Sequence, residues 1–471
     1  MAAIAALLNS LLMMAVGWLV AWRYSLDNFQ VFAIWWSIYS TITAFAFDYI
    51  RTGVTRYAGG RHPDSEKSVY LLQIGSMVLV LVASVVLLAV LKGTDRLFGF
   101  LVAICACTWA ACEVAIAQRK AVIDNRGAVF LLVARTLILL AGLGVIFLRH
   151  SPVWWVFVAV SVANLCAIFC APGALRISVP PLLAAVRGFR REDLGRMWRT
   201  FLELCPLGLA AALLNLLLLA MRSLAVWRFD SKVVASIALT SDLGLRGIAV
   251  FFAALMIFPM QHIFRAHDGD GDPREETISV GHLLTVLAVG GLAMTYFTIF
   301  VLKGVIFPKA IRAEIGPYLM VSVLSGIVLA MKMYMADLHL LSRKKVLIIV
   351  SSNLVQLSVG IGAAFVASMY LGGVGISLGG LIGVAAGFAF SAFNARRFMN
   401  YDRRFLLLQT AVIVLYLVAG TVVSHLNLGE AGVAAQVAAF AVCVMGCLTI
   451  TMTRQVVRNN ILRALVGRRS A

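Results

Sequence analysis

Nine ionisable side chains interrupt otherwise apolar runs: Asp48, Glu113, Arg135, Glu203, Arg222, Asp242, Arg246, Lys332 and Asp337. Asn9, Asn164, Asn215, Asn353 and Gln356 lie in the same kind of surroundings as neutral companions. A charge held in hydrocarbon costs roughly 2.5 kcal/mol or more, so each needs a partner, a headgroup within reach or a wet cavity. Guanidinium and ammonium groups fixed in such a cavity can replace part of the hydration of an anion, and Arg can do so bidentately. Lys332, Arg246, Arg135, Arg51 and Arg56 are therefore the candidate anion-binding cations. Asp48, Glu113, Glu203, Asp242 and Asp337 are the candidate acids for coupling to H+ or Na+.

Plainer readings stand beside these. Asp242 and Arg246 are four apart and either pair with each other on a helix or face a cavity. Lys332 and Asp337 are five apart, which turns them to different faces of an α-helix, so self-pairing is disfavoured and Lys332 leads the cavity candidates. Arg135 lies about two turns inside its segment and either snorkels to headgroups or lines the cavity. Arg222, near a segment end, reads as an anchor. Arg51 and Arg56 either hold a cytoplasmic mouth open to an anionic group or only follow a topological charge bias.

No catalytic constellation emerges. The seven His residues stand mostly in loops or at helix ends without metal-ligand spacing. Asp268-Gly-Asp-Gly-Asp272 resembles a calcium loop but lacks the Glu that closes one, and reads as an acidic turn. There is no phosphate-binding GxxxxGK[ST] run. The sequence is read as no enzyme, with no cofactor and no metal.

The elements that position the charges are membrane helices. The chain is 62% apolar and 13% charged, with a mean hydropathy of +0.96, far from a soluble domain. Its apolar residues come in blocks of about 20, the length that spans a hydrocarbon core of roughly 30 Å. Fourteen spans are expected, near 2–22, 31–50, 69–91, 97–117, 128–148, 152–172, 201–221, 233–260, 280–302, 317–336, 346–369, 372–393, 405–424 and 431–452. The first has no basic leader region and is spanning in length, so it reads as a helix and not a cleaved signal.

Net charge is +19, which in a soluble chain would point to nucleic acid. Here 27 of the 40 Lys and Arg residues fall in the even-numbered connections and the C-terminal tail. That is the positive-inside pattern with both termini cytoplasmic, and no nucleic-acid partner is implied. All eight cysteines lie in apolar runs and read as small buried hydrophobes.

A basic, Pro-interrupted stretch at 176–199 separates six spans from eight and reads in part as a helix lying along the cytoplasmic leaflet. A weak repeat crosses it. LLNSLLMMAVGWLVAWRYS from Leu7 matches LLNLLLLAMRSLAVWRFDS from Leu213, with Asn9 on Asn215 and Trp22–Arg23–Tyr24 on Trp227–Arg228–Phe229. Repeats six spans apart share one orientation, so the two would be parallel about an axis along the membrane normal. The expected organisation is a six-helix lobe at 1–175, a linker at 176–199, a second six-helix lobe at 200–396, and accessory helices 13 and 14 with a basic tail at 397–471.

Arg23–Gly60 resembles the opening of the polysaccharide-transport branch of the multidrug/oligosaccharidyl-lipid/polysaccharide exporter superfamily. Asp48, Arg51, Gly53, Arg56 and Ala58 stand where that branch has an acidic turn, an Arg and a small-residue segment. Asp48-Tyr49-Ile50 departs from its usual acidic-Leu-Gly. FFAALMIFPMQHIFRAH, with Pro259 and Arg265, is similar to the branch's way of closing its eighth span. The resemblance implies an alternating-access flippase for undecaprenyl-pyrophosphate-linked oligosaccharide in the bacterial inner membrane, serving lipopolysaccharide or exopolysaccharide assembly. It also implies membrane lipids and a polysaccharide polymerase with its export machinery as partners. A cation-coupled multidrug exporter and a lipid II flippase are the alternatives on the same fold. A membrane glycosyltransferase would need a long outer loop bearing carboxylates, and the longest here, Lys303–Pro317, is too short.

Overall fold

A computed structural model describes residues 2–57, 63–121, 124–149, 151–170, 182–247 and 307–396. The expected ninth, thirteenth and fourteenth spans, the acidic turn at 268–272, Cys443 and Cys447 lie outside these residues. The described part is helical throughout. In chain order it comprises α1 (Ala2–Arg23), α2 (Leu26–Tyr57), α3 (Pro63–Val90), α4 (Thr94–Ala121), α5 (Asn125–Leu148), α6 (Trp155–Cys170) and α7 (Arg191–Arg228). Then follow α8 (Ser231–Ser241), α9 (Ile315–Met331), α10 (Leu338–Ser342) and α11 (Val346–Ala395). Two π-helical segments, Asp242–Gly247 and Lys332–Asp337, continue α8 and α9. Seven helical segments among the described residues are long and apolar enough to cross a membrane.

Local chemistry explains the breaks. Pro63 opens α3, where a missing N–H costs no helical bond, and Asp64 and Glu66 follow in its first turn. Asp124 caps α5, its side chain accepting the Gly127 N–H at 2.9 Å. The two copies of the Trp-Arg-aromatic triplet do the same work. Tyr24 N–H bonds Val20 O at 3.0 Å as α1 ends, and Phe229 N–H bonds Ala225 O at 2.9 Å as α7 ends.

Part of the expected surface linker takes another form. Residues 182–187 are a short helix, but from Arg191 onward the chain is already α7. Asp193 accepts the Arg190 N–H at 2.7 Å and fixes that start. The linker is tied to α3, because Lys67 donates to Asp193 and to Gly188 O, both at 2.6 Å, and Arg196 pairs with Asp64 at 2.9 Å.

Contacts divide the chain into two units, Met1–Ala235 and Ser236–Ala471. In the first, α2 packs along both α4 and α7. Phe157 of α6 is the hub of an aromatic core, with ring centroids of Phe32, Trp36, Tyr39 and Phe98 between 5.7 and 6.4 Å away. Outward faces are apolar. On α3 the exposed residues include Val78, Leu79, Val82, Val85, Val86 and Val90, as a helix facing acyl chains requires.

The second unit is built around α11, a hairpin rather than one rod. Gly372 takes φ 59°, ψ −143°, a left-handed backbone that reverses the chain between limbs corresponding to the expected spans at 346–369 and 372–393. Beyond the bend, Gly375, Gly379, Gly383 and Gly387 recur every fourth residue. A Cβ at Gly379 would collide with the backbone of Ala364, and one at Gly383 would lie 2.5 Å from Gln356 O. This small-residue stripe lets the two limbs touch backbone to backbone, which brings Gly387 and Ser391 against Ser352 and Gln356.

Candidate functional site

Among the described residues, two groups of charged side chains pair across helices, one group in each unit. In the first, Arg135 of α5 donates through Nη1 to Glu113 Oε1 of α4 at 2.8 Å. Arg51 of α2 stands 3.7 Å from the other Glu113 oxygen and 3.2 Å from Asp48, one helical turn back. Two guanidinium groups thus face two carboxylates. Their exposure differs sharply: Arg135 shows 5% of its side chain and Glu113 13%, against 45% for Arg51. Cys112, Ala115, Ile116, Ala128, Leu131, Leu132 and Ala167 form an apolar cluster on the helices beside the pair.

In the second unit, Lys332 Nζ donates to Asp337 Oδ2 and to Asn353 Oδ1, each at 2.6 Å. Asp337 Oδ1 accepts from Ser391 Oγ at 2.6 Å, and Ser391 Oγ is 2.8 Å from Ser352 Oγ. Ser352 in turn reaches Gly387 O at 2.8 Å. Lys332 is 1% exposed. This overturns the expectation that Lys332 and Asp337 face apart. On an α-helix, residues five apart diverge by roughly 140°. The segment is a π-helix, in which Leu338 N–H bonds Met333 O five residues back, so residues five apart stack in successive turns.

Arg222 also departs from its reading as an anchor. It is fully buried, and Nη1 donates to Ala33 O at 3.1 Å and Ser37 Oγ at 2.7 Å, joining α7 to α2. Two features in the sequence point this way: Arg222 lies about one and a half turns inside α7 from the terminal pair Trp227–Arg228, and Ser37 offers a hydroxyl on the facing helix.

The other candidates are more dispersed. Asp242 is buried at the start of its π-segment, and Arg246 follows in the same segment. The side chains of Arg246 and Arg56 lie outside the described ones. Glu203 sits exposed on α7. Ser352 and Ser391 were not singled out in the sequence, where hydroxyls in apolar runs read as packing. Six described cysteines are free thiols.

No protein-family model and no curated protein sequence matches the chain. Solved structures do. A lipid II flippase, MurJ, in an inward closed conformation matches with a TM-score of 0.70 at 8% identity, over 96% of this chain and 98% of that one. An inward-facing multidrug resistance MATE family transporter of the MOP superfamily gives 0.60 at 14%, over 83% of this chain and 94% of that one. The eukaryotic MATE transporter AtDTX14 gives 0.58 at 12%, over 84% and 93%. The chain therefore has the fold of the MOP-superfamily transporters, the superfamily whose polysaccharide branch its opening residues resemble. Its long apolar helices and this fold mark it as a multi-pass membrane protein.

Proposed function

We propose that the chain is a flippase that carries an undecaprenyl-pyrophosphate-linked oligosaccharide from the cytoplasmic to the outer face of the bacterial inner membrane by alternating access. Fourteen spans, cytoplasmic termini and two parallel six-helix lobes are part of this reading. The observation that carries it is the extent of the structural likeness. The lipid II flippase matches 96% of this chain at a TM-score of 0.70, whereas the MATE transporters match 83% and 84% at 0.60 and 0.58. A flippase for a lipid-linked, charged head group is thus the better template for the whole chain than a drug exporter.

A pyrophosphate carries several negative charges through a low-dielectric layer. Of the cations in the Glu113 and Lys332 networks, Arg51 is the one that keeps 45% of its side chain exposed. It is assigned the first contact with the pyrophosphate. Asp48 and Glu113 hold its guanidinium in place and keep binding weak enough for release. Arg135 and Lys332 are sheathed by their partners and serve structure or coupling instead. H+ or Na+ coupling falls to the acidic candidates, and a polymerase with its export machinery would receive the cargo.

The test is transport in proteoliposomes loaded with a lipid-linked oligosaccharide, read by the exposure of its sugar to a membrane-impermeant glycosidase. The wild-type chain should expose the sugar, and Arg51→Gln should slow exposure at least tenfold. A wild-type chain that leaves the sugar protected while extruding cationic drugs would establish the exporter alternative.

A further inference from the structure

The helix α7 is too long for the layer it crosses. Its 38 residues extend about 57 Å at about 1.5 Å each. A hydrocarbon core of roughly 30 Å holds about 39 Å of helix even at a tilt of about 40°. The turns carrying Arg191, Arg196 and Arg199 therefore belong at headgroup level. On those turns Arg191, Leu194, Trp198 and Leu202 share one face, with Leu194 and Leu202 each 54% exposed and Trp198 60%. Asp193, Thr200 and Leu204, all buried, hold the opposite face. The short helix at 182–187 and the turn after it repeat the pattern: Leu183, Val186 and Phe189 are exposed, and Ala185 is buried. Arg187, Arg190, Arg191 and Arg199 stand exposed among these residues, whereas the exposed acids Glu192 and Glu203 fall off the apolar face. The reverse side is fixed to α3, through Lys67 to Asp193 and Gly188 O and through Arg196 to Asp64, which holds the apolar face outward.

A surface both apolar and cationic suits neither water nor acyl chains alone. It suits the boundary between them, where rings and aliphatic carbons sink below the phosphates and guanidinium groups reach up to them. We propose that this elbow, residues 182–202, is a docking surface for anionic phospholipid. Charge complementarity selects the occupant: four exposed arginines attract lipid of net negative charge more strongly than zwitterionic lipid. The lipid binds on the side away from the ion pairs to α3, so headgroups and α3 hold the elbow from two sides and fix where α7 begins. The inference stands on one end of α7 in the first unit and is independent of the cargo.

The experiment reads lipid at Trp198 directly. The full-length chain is reconstituted in phosphatidylcholine bilayers containing a minor share of phosphatidylglycerol, with bromine on the acyl chains of one lipid or the other. Quenching of the Trp198 emission, obtained by subtracting that of Trp198→Phe, gives the local share of each lipid. Phosphatidylglycerol should be enriched at least about threefold over its bulk share at low salt, and less so as salt is raised. Replacing all four exposed arginines by Gln (Arg187→Gln, Arg190→Gln, Arg191→Gln and Arg199→Gln) should return the local share to the bulk value. Replacing the same four by Lys, which keeps the charge, should preserve the enrichment. A wild-type local share equal to the bulk share overturns the proposal, as does an enrichment that the Gln variant retains or the Lys variant loses. So does a Trp198 emission that neither brominated lipid quenches, the result for a face covered by protein. Transport is not read in any arm, so failure here leaves the flippase reading standing, and the reverse also holds.

Discussion

Removing Glu113 should destabilise the first unit more than removing the arginine it pairs with. Glu113→Gln leaves a guanidinium that is 5% exposed without its carboxylate at 2.8 Å. Breaking a buried pair from one side costs about 3–5 kcal/mol, because the stranded charge keeps its desolvation penalty. Arg135→Gln strands the carboxylate instead, but Glu113 keeps the Arg51 guanidinium at 3.7 Å, so the loss should be smaller by about 1–2 kcal/mol. Arg51→Gln, at a site 45% exposed, should cost less than about 1 kcal/mol. Glu113→Gln/Arg135→Gln removes both charges and should recover most of the single-variant loss, giving a coupling energy of about 2 kcal/mol or more in the cycle. The assay is reversible denaturant unfolding in mixed micelles, with all variants measured at one protein and detergent concentration. Additive single and double variants, or equal losses for Glu113→Gln and Arg51→Gln, would refute the electrostatic account of this cluster.

Two further predictions concern packing. Arg222→Met should cost about 2–4 kcal/mol, since it leaves Ala33 O and Ser37 without the guanidinium, whereas Ser37→Ala should cost about 1 kcal/mol because the Ala33 contact survives; the same unfolding assay reads both. Gly379→Ala drives a methyl into the Ala364 backbone and should cost about 1–3 kcal/mol, while Gly362→Ala meets open space on the same helix hairpin and should be neutral or slightly stabilising.

Much of this architecture is visible in the residues. Block length and charge bias place helices where α2 to α7 run, and the Trp-Arg-aromatic repeat marks the points where α1 and α7 stop. The turn at Gly372 falls between two expected spans. Arg135, Glu113 and Asp48 could be named as candidates because intramembrane charge demands a partner, and Arg51 because it stands at the expected cytoplasmic mouth. Their mutual pairing could not be read, because it depends on how α2, α4 and α5 face one another, and charge spacing along one helix carries no such information.

Lys332 and Asp337 mark the sharper limit. Their spacing was judged by α-helical geometry, and a single change of hydrogen-bond register from four to five inverts the conclusion. Nothing in KMYMAD announces a π-turn. In the folded chain the π-turn delivers both charges to Ser391 and Asn353 of α11. Distance from a segment end, by which Arg222 reads as an anchor, measures depth but not whether a neighbour covers the side chain.

The most direct test of the flippase reading is the distribution of lipid-linked oligosaccharide between leaflets after the protein is depleted from its native cells. Accumulation on the cytoplasmic leaflet, cleared by wild-type protein but not by Arg51→Gln expressed at the same level, is the expected result. Unchanged distribution on depletion, with heightened sensitivity to cationic drugs, would contradict the account and leave only the fold in place.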